Sequence, residues 1–103
     1  MEDTAPISPH LIGIQRLYRH PGTGAVHHVV RYPANLDALP HRHASAHTIT
    51  VLEGRLLVND REIGPGGYAH SPAGQVIRHT SAGGEPCLFL TIFDRPVTIE
   101  VVR

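Results

Sequence analysis

The sequence predicts an all-β domain, a sandwich, barrel or jelly roll of about ten short strands. Three observations carry that expectation. Short runs rich in valine, isoleucine, leucine and threonine recur along the chain, and His47–Glu53 (His-Thr-Ile-Thr-Val-Leu-Glu) is the clearest of them. Glycine, proline or asparagine closes each run, with 10 Gly and 9 Pro in 103 residues. No stretch shows apolar residues at helical spacing over a convincing length.

Residues 1–10 hold two prolines and little apolar content, and read as a flexible arm or as a strand ordered only against a partner. Residues 11–103 form the expected single β-barrel domain. Its first strand covers 12–18, and His20-Pro21-Gly22-Thr23-Gly24 turns the chain into a second over 25–32. Pro33-Ala34-Asn35 breaks that strand. Residues 36–43 are short and extended, because Pro40 disfavours a helix there. After His47–Glu53, Gly54 ends the strand, 55–58 follows, and Asn59-Asp60 makes a hairpin with Arg61–Ile63. Gly64-Pro65-Gly66-Gly67 is a rigid turn before Tyr68–Ser71. Pro72-Ala73-Gly74 precedes a strand over 75–81, a loop runs over 82–86, and Cys87–Phe93 and 97–102 are the last apolar strands.

The length suits one domain with one modest core. Lys and Arg total 9 and Asp and Glu total 9, so charge gives no reason to propose nucleic acid or an anionic membrane as a partner. One cysteine, Cys87, rules out an internal disulfide and favours a reducing compartment. The start, Met-Glu-Asp-Thr-Ala-Pro, lacks the basic and apolar regions of a signal peptide, and no apolar run is long enough to cross a bilayer; the expected place is the cytoplasm.

The chemistry concentrates in Pro40-His41-Arg42-His43-Ala44-Ser45-Ala46-His47. Side chains alternate along a strand, so His41, His43 and His47 share a face if the segment stays extended, and Arg42 takes the other. Three neutral imidazoles converging from one strand, or from two strands joined by a short turn, make a site for a divalent transition metal ion: Fe, Zn, Ni or Mn.

Laid out in full, the pattern runs Asn35, five residues, His41, one, His43, three, His47, six, Gly54, and then Gly66, five residues, Pro72, one, Gly74, followed by His79. This resembles the cupin superfamily, small single-domain members with a histidine-rich metal site above all, whose motifs read G-x5-HxH-x3,4-E-x6-G and G-x5-PxG-x2-H-x3-N. The resemblance covers about residues 30–93. It implies a double-stranded β-helix, the jelly-roll cupin barrel, with one metal per chain inside one end. Asn35 stands where the family has glycine, and asparagine tolerates the positive φ of a tight turn. His47 stands at the usual glutamate, as in members with four histidines. In the second motif Ile77 occupies the usual histidine position and His79 follows two residues later, on the same strand face but roughly 6.6 Å along it. An irregularity after Gly74 would bring His79 into register as fourth ligand. His70, before the turn, is the competitor. Gly83 falls where the family's asparagine would be.

Four neutral imidazoles leave the full charge on the metal and make it a strong Lewis acid. A six-coordinate ion would keep two positions open, whereas tetrahedral zinc with four histidines would be closed and structural. The resemblance implies a metal-dependent enzyme acting on a small oxygenated organic molecule, by dioxygenase-type cleavage or by non-redox isomerisation or cyclisation. The alternatives are a non-catalytic barrel that binds a sugar or organic acid, and a structural metalloprotein. A regulator is disfavoured because the chain leaves no room for a helix-turn-helix. No acid or base stands beside the histidines: Glu53 lies at a strand end and Asp94 is remote in sequence. His27 and His28 are adjacent, so at most one lines a cavity. Tyr32, Tyr68, Gln75 and Arg31 are further candidates for the pocket wall. Exposed edges and the apolar run over 97–102 predict a homodimer.

Overall fold

Alternation of apolar and polar residues sets the main strands, and the computed structural model, which describes residues 2–4 and 11–102, carries them in two layers. The first is a six-stranded antiparallel sheet of β1 (Glu2–Thr4), β2 (Leu11–Arg19), β3 (Val26–Tyr32), β10 (Cys87–Phe93), β5 (His47–Glu53) and β8 (Tyr68–Ser71), in that spatial order. Along β10 every other residue is buried, namely Cys87, Phe89, Thr91 and Phe93. That period of two fixes which face meets the core.

The second layer is more broken. It contains β7 (Arg61–Ile63), β6 (Leu56–Val58) and β9 (His79–Ser81), and separately β11 (Glu100–Val101) paired with β4 (His41–Arg42). Two bridges, Asp37 to Thr80 and His41 to Ile77, stitch these pieces together. One core joins the layers: Ile12, Val30, Ile49 and Phe89 from the first pack with Leu36, Leu56, Val58 and Ile63 from or beside the second. The described residues contain no helix.

Several strand expectations hold to the residue, among them His47–Glu53, Arg61–Ile63, Tyr68–Ser71 and Cys87–Phe93. Asn35 has φ 60° and Asn59 φ 53°, the conformations their turn positions require. At Gly54, φ is 75° and a Cβ would run into the Pro86 carbonyl oxygen, so glycine is required there on both counts.

Other expectations need correction. The strand predicted over 75–81 is only His79–Ser81, because the turn at Pro72-Ala73-Gly74 leaves 75 and 76 off the ladder and Ile77 bridges His41 alone. The strand predicted over 97–102 shrinks to Glu100–Val101. Thr98 spends its carbonyl and hydroxyl on His43 and on the Ala44 amide, not on a neighbouring strand. Of residues 36–43, only His41–Arg42 is a strand. Within the segment read as an arm, Glu2–Thr4 pairs with β2; residues 1 and 5–10, His10 among them, lie outside the described residues, as does residue 103.

Candidate functional site

The four histidines of the sequence pattern meet at one end of the barrel, each delivered by a different local device. His41 sits in β4 and exchanges two backbone hydrogen bonds with Ile77, at 2.9 and 2.8 Å. His43 lies just past the end of β4, and its carbonyl accepts the Gly74 amide at 2.9 Å. A bend over 44–45 returns the chain so that His47 opens β5, opposite Phe93 and Ser71. The convergence is therefore the one from two strands joined by a short turn. His79 opens β9 opposite Val58. The irregular 75–78 stretch brings His79 to the cluster, and Ile77 is a buried neighbour at 1% exposure.

The rings stand mostly edge to face. Centroids are 4.9 Å apart for His41 and His43, 4.8 Å for His43 and His47, 6.0 Å for His47 and His79, and 5.5 Å for His41 and His79. All four residues are at most 6% exposed. His41 Nδ1 donates to the Leu39 carbonyl at 2.9 Å, and His43 Nδ1 to the Thr98 carbonyl at 2.5 Å. Those bonds assign the proton to Nδ1 and leave Nε2 as the basic nitrogen. By contrast, both ring nitrogens of His47 and Nε2 of His79 are buried without a hydrogen-bond partner among the described residues. Orphaned polar atoms of this kind are rare in folded proteins and ask for an explanation.

Burial lowers the pKa of every one of these rings, because the imidazolium form loses its hydration. His47 falls to about 3, through desolvation first and then the neighbouring His43, His41 and His70. His79 falls well below the ordinary value for the same leading reason, with His41, His47 and His43 adding to it. His41 and His43 are also lowered by burial, against the opposing pull of their carbonyl partners. At neutral pH the cluster is thus a set of four uncharged nitrogen bases.

A cavity of about 90 Å³ adjoins them. Its wall is chiefly apolar, with Ile14, Val30, Phe89 and Phe93 prominent, and none of the described residues lining it is a carboxylate, lysine or arginine. Phe93 stacks on His47 at 4.8 Å and 18°, and meets His43 edge-on at 4.9 Å. Val97 and Ile99, either side of Thr98, close another part of the wall.

Of the adjacent pair, His28 lines the cavity, whereas His27 packs against Tyr18 on the other face. Tyr32 lines it as well; Tyr68, Gln75 and Arg31 are exposed and do not. His70 is exposed beside the buried Ser71, and Glu53 and Asp94 are exposed too. Sequence reasoning passed over Thr91, Phe93 and the 97–99 segment. Strand alternation could have found the first two, because Phe89, Thr91 and Phe93 share one parity. Nothing local announces that Thr98, 55 residues after His43, supplies its partner.

An all-β jelly roll of these strands, with histidines gathered inside one end, is the architecture of the cupin superfamily, and solved structures of that fold superpose on most or nearly all of the chain. A cupin-like protein from Thermotoga maritima matches with a TM-score of 0.86 at 14% identity, over 98% of this chain and 83% of that one. An acetylacetone dioxygenase from Acinetobacter johnsonii gives 0.78 at 18%, over 99% and 76%. A sugar phosphate isomerase of the cupin superfamily from Silicibacter pomeroyi gives 0.69 at 20%, over 88% and 65%. Residues 4–96 match the family model described as the ChrR Cupin-like domain, and the chain belongs to that family. No match is found among curated proteins.

Proposed function

We propose that the chain is a metal-dependent enzyme acting on a small oxygenated organic molecule, with His41, His43, His47 and His79 holding one divalent transition metal ion. The observation that carries this reading is the buried, uncharged imidazole cluster with three unpartnered nitrogens. Imidazoles that share one ion at about 2.0–2.1 Å per bond place their ring centroids roughly 4.5–6.4 Å from each other, from right-angled to opposed pairs. The observed 4.8–6.0 Å falls inside that range. Among the described residues no three His, Cys, Asp or Glu side chains already have their donor atoms drawn together as a cation site. Uptake would therefore turn the rings about their side-chain torsions while the strands stay in place.

Bound there without a carboxylate, the ion would supply Lewis acidity toward a carbonyl or, as iron, support oxygen-dependent cleavage. The chain's own residues have simpler tasks. The Leu39 and Thr98 carbonyls hold His41 and His43 in one tautomer and one orientation. Phe93 covers His47 and limits water around it. The apolar wall takes up the carbon part of a ligand. Among its described residues that wall carries no carboxylate, so a general acid or base acting from a side chain would be an imidazole or the Tyr32 hydroxyl. The dioxygenase and the isomerase among the structural relatives support both reaction types.

Elemental analysis of protein purified without chelator should find one equivalent of Fe, Zn, Ni or Mn per chain. The His41→Ala, His43→Ala double variant should find none. A double variant that keeps a full equivalent after mild chelator treatment would put the ion elsewhere. If iron is present, oxygen uptake on adding small carbonyl compounds tests catalysis; ligand binding without turnover would leave a binding barrel.

A further inference from the structure

The cavity beside the four histidines holds few other polar groups. Among the described residues, its remaining hydrogen-bonding side chains are His28, Thr91 and Tyr32. Tyr32 is 3% exposed and its ring stands edge-on against Phe89 at 5.0 Å. His28 and Thr91 form a pair. They are directly opposed across β3 and β10, so their side chains leave the sheet on the same, inner face. They also lie one rung along the barrel from Phe93 and its partner His47, a step of about 6.6–6.8 Å. Neither the Thr91 hydroxyl nor the His28 ring is hydrogen-bonded to another described residue. Thr91 is nonetheless 5% exposed, in a row whose other members, Cys87, Phe89 and Phe93, carry no hydroxyl. The residue is buried but its hydroxyl is not among the fully enclosed orphaned atoms, and Thr91 lines the cavity, so the hydroxyl is left for whatever enters there.

We infer that His28 and Thr91 are the polar anchor of the ligand, holding one oxygen of a compact, uncharged carbonyl or hydroxyl compound whose carbon body lies against Ile14, Val30, Phe89 and Phe93. The inference rests on the small-molecule reading of this cavity proposed above. Thr91 donates its hydroxyl proton to a carbonyl oxygen; His28 donates or accepts according to which tautomer the ligand selects. Burial, and secondarily Arg16 on the facing strand, lowers the His28 pKa, so the ring is uncharged at neutral pH and suits an uncharged oxygen. A sugar phosphate fits poorly, because none of the described lining residues is a lysine or arginine to meet its charge. The anchor separates binding from metal holding, since it touches the ligand at a different atom.

The test is calorimetric titration of the metal-loaded, full-length protein with 3-hydroxybutan-2-one and, separately, with ribose 5-phosphate. The hydroxyketone should bind and the sugar phosphate should bind at least tenfold more weakly. Thr91→Val keeps the shape and removes the hydroxyl; it should weaken hydroxyketone binding by roughly three- to tenfold, the worth of one hydrogen bond. Thr91→Ser should recover most of that loss, and His28→Leu should give a loss of similar size. Metal content should stay at the wild-type level in all three. Unchanged binding in Thr91→Val and His28→Leu would overturn the anchor, as would wild-type protein that ignores the hydroxyketone or prefers the sugar phosphate. The metal reading fails separately: protein that takes up no ion yet binds the hydroxyketone in a Thr91-dependent way would sink the metal and keep the anchor.

Discussion

At the scale of single residues the histidines do two things with one property, their lowered pKa. An unfolded histidine titrates near pH 6.5, whereas His41, His43, His47 and His79 titrate lower in the fold, His47 at about 3. Below pH 6.5 the unfolded chain therefore binds protons that the folded chain refuses. Their contribution to stability is complete above pH 6.5 and is lost as pH falls below it, by up to about 1.4 kcal/mol per pH unit for each histidine. Chemical denaturation of metal-free protein between pH 8 and pH 4 should show that decline, and a flat profile would mean the rings are not buried as described. Metal retention should fall over the same range, because each ligand must give up its proton to bind.

Ile77 and His79 make a sharper contrast. His79→Ala should weaken metal binding at least tenfold, about 1.4 kcal/mol, and leave the fold intact. Ile77→Ala should leave affinity nearly unchanged and cost about 2–5 kcal/mol of stability, the usual range for emptying a fully buried aliphatic site. Competition with a chromophoric chelator and urea unfolding read the two quantities independently. If His79→Ala kept wild-type affinity, the site would have three histidines. The three histidines of the 41–47 stretch were legible in the sequence because the spacing is local. His79 was legible only through its place after Gly74, since the irregular backbone of 75–78 hides its register. Thr91 was written in the inward row of β10, and only the burial of its neighbours gives it meaning.

At the scale of elements, legibility followed alternation. Strands with a clear period of two, His47–Glu53 and Cys87–Phe93, could be read to the residue. The 97–102 segment could not, because its apolar content looks like a strand while its first half is committed to other partners. Thr98 binds β4's continuation twice, by its carbonyl to His43 and by its hydroxyl to the Ala44 amide at 2.9 Å. The Val102 amide adds a bond to the Pro40 carbonyl at 2.9 Å. Thr98→Val removes the hydroxyl bond alone and should loosen the strap that holds His43. Metal affinity should drop by about three- to tenfold, with Thr98→Ser close to wild type. An unaltered affinity in Thr98→Val would show that the carbonyl holds His43 without that support.

At the scale of the molecule, the outer face of the six-stranded sheet is not fully polar. Leu17, Leu52 and Tyr68 are 53%, 45% and 53% exposed, and Leu88 and Leu90 on the central strand β10 are only half-buried. Faces of this kind are covered in many proteins by a second copy. Light scattering at micromolar concentration should give about twice the chain mass of 11.2 kDa. A clean mass near the single-chain value would rule the dimer out. The all-β class was readable from turn chemistry and strand composition, which are local. The order of strands in the sheet was not, because pairing such as β3–β10–β5 depends on contacts far apart in the chain.

That order has a consequence for how the protein is made. β10 is synthesised after β2, β3, β5 and β8, yet it lies between β3 and β5 and joins them. The Thr98 carbonyl that orients His43 emerges later still. While the ribosome is still adding these residues, His41, His43 and His47 have no closed barrel around them and are ordinary accessible histidines, free to be protonated. The barrel therefore takes β10, and His43 its carbonyl partner, only after the strands that flank them have been made. Any choice among ions would then belong to the folded protein and not to the growing one.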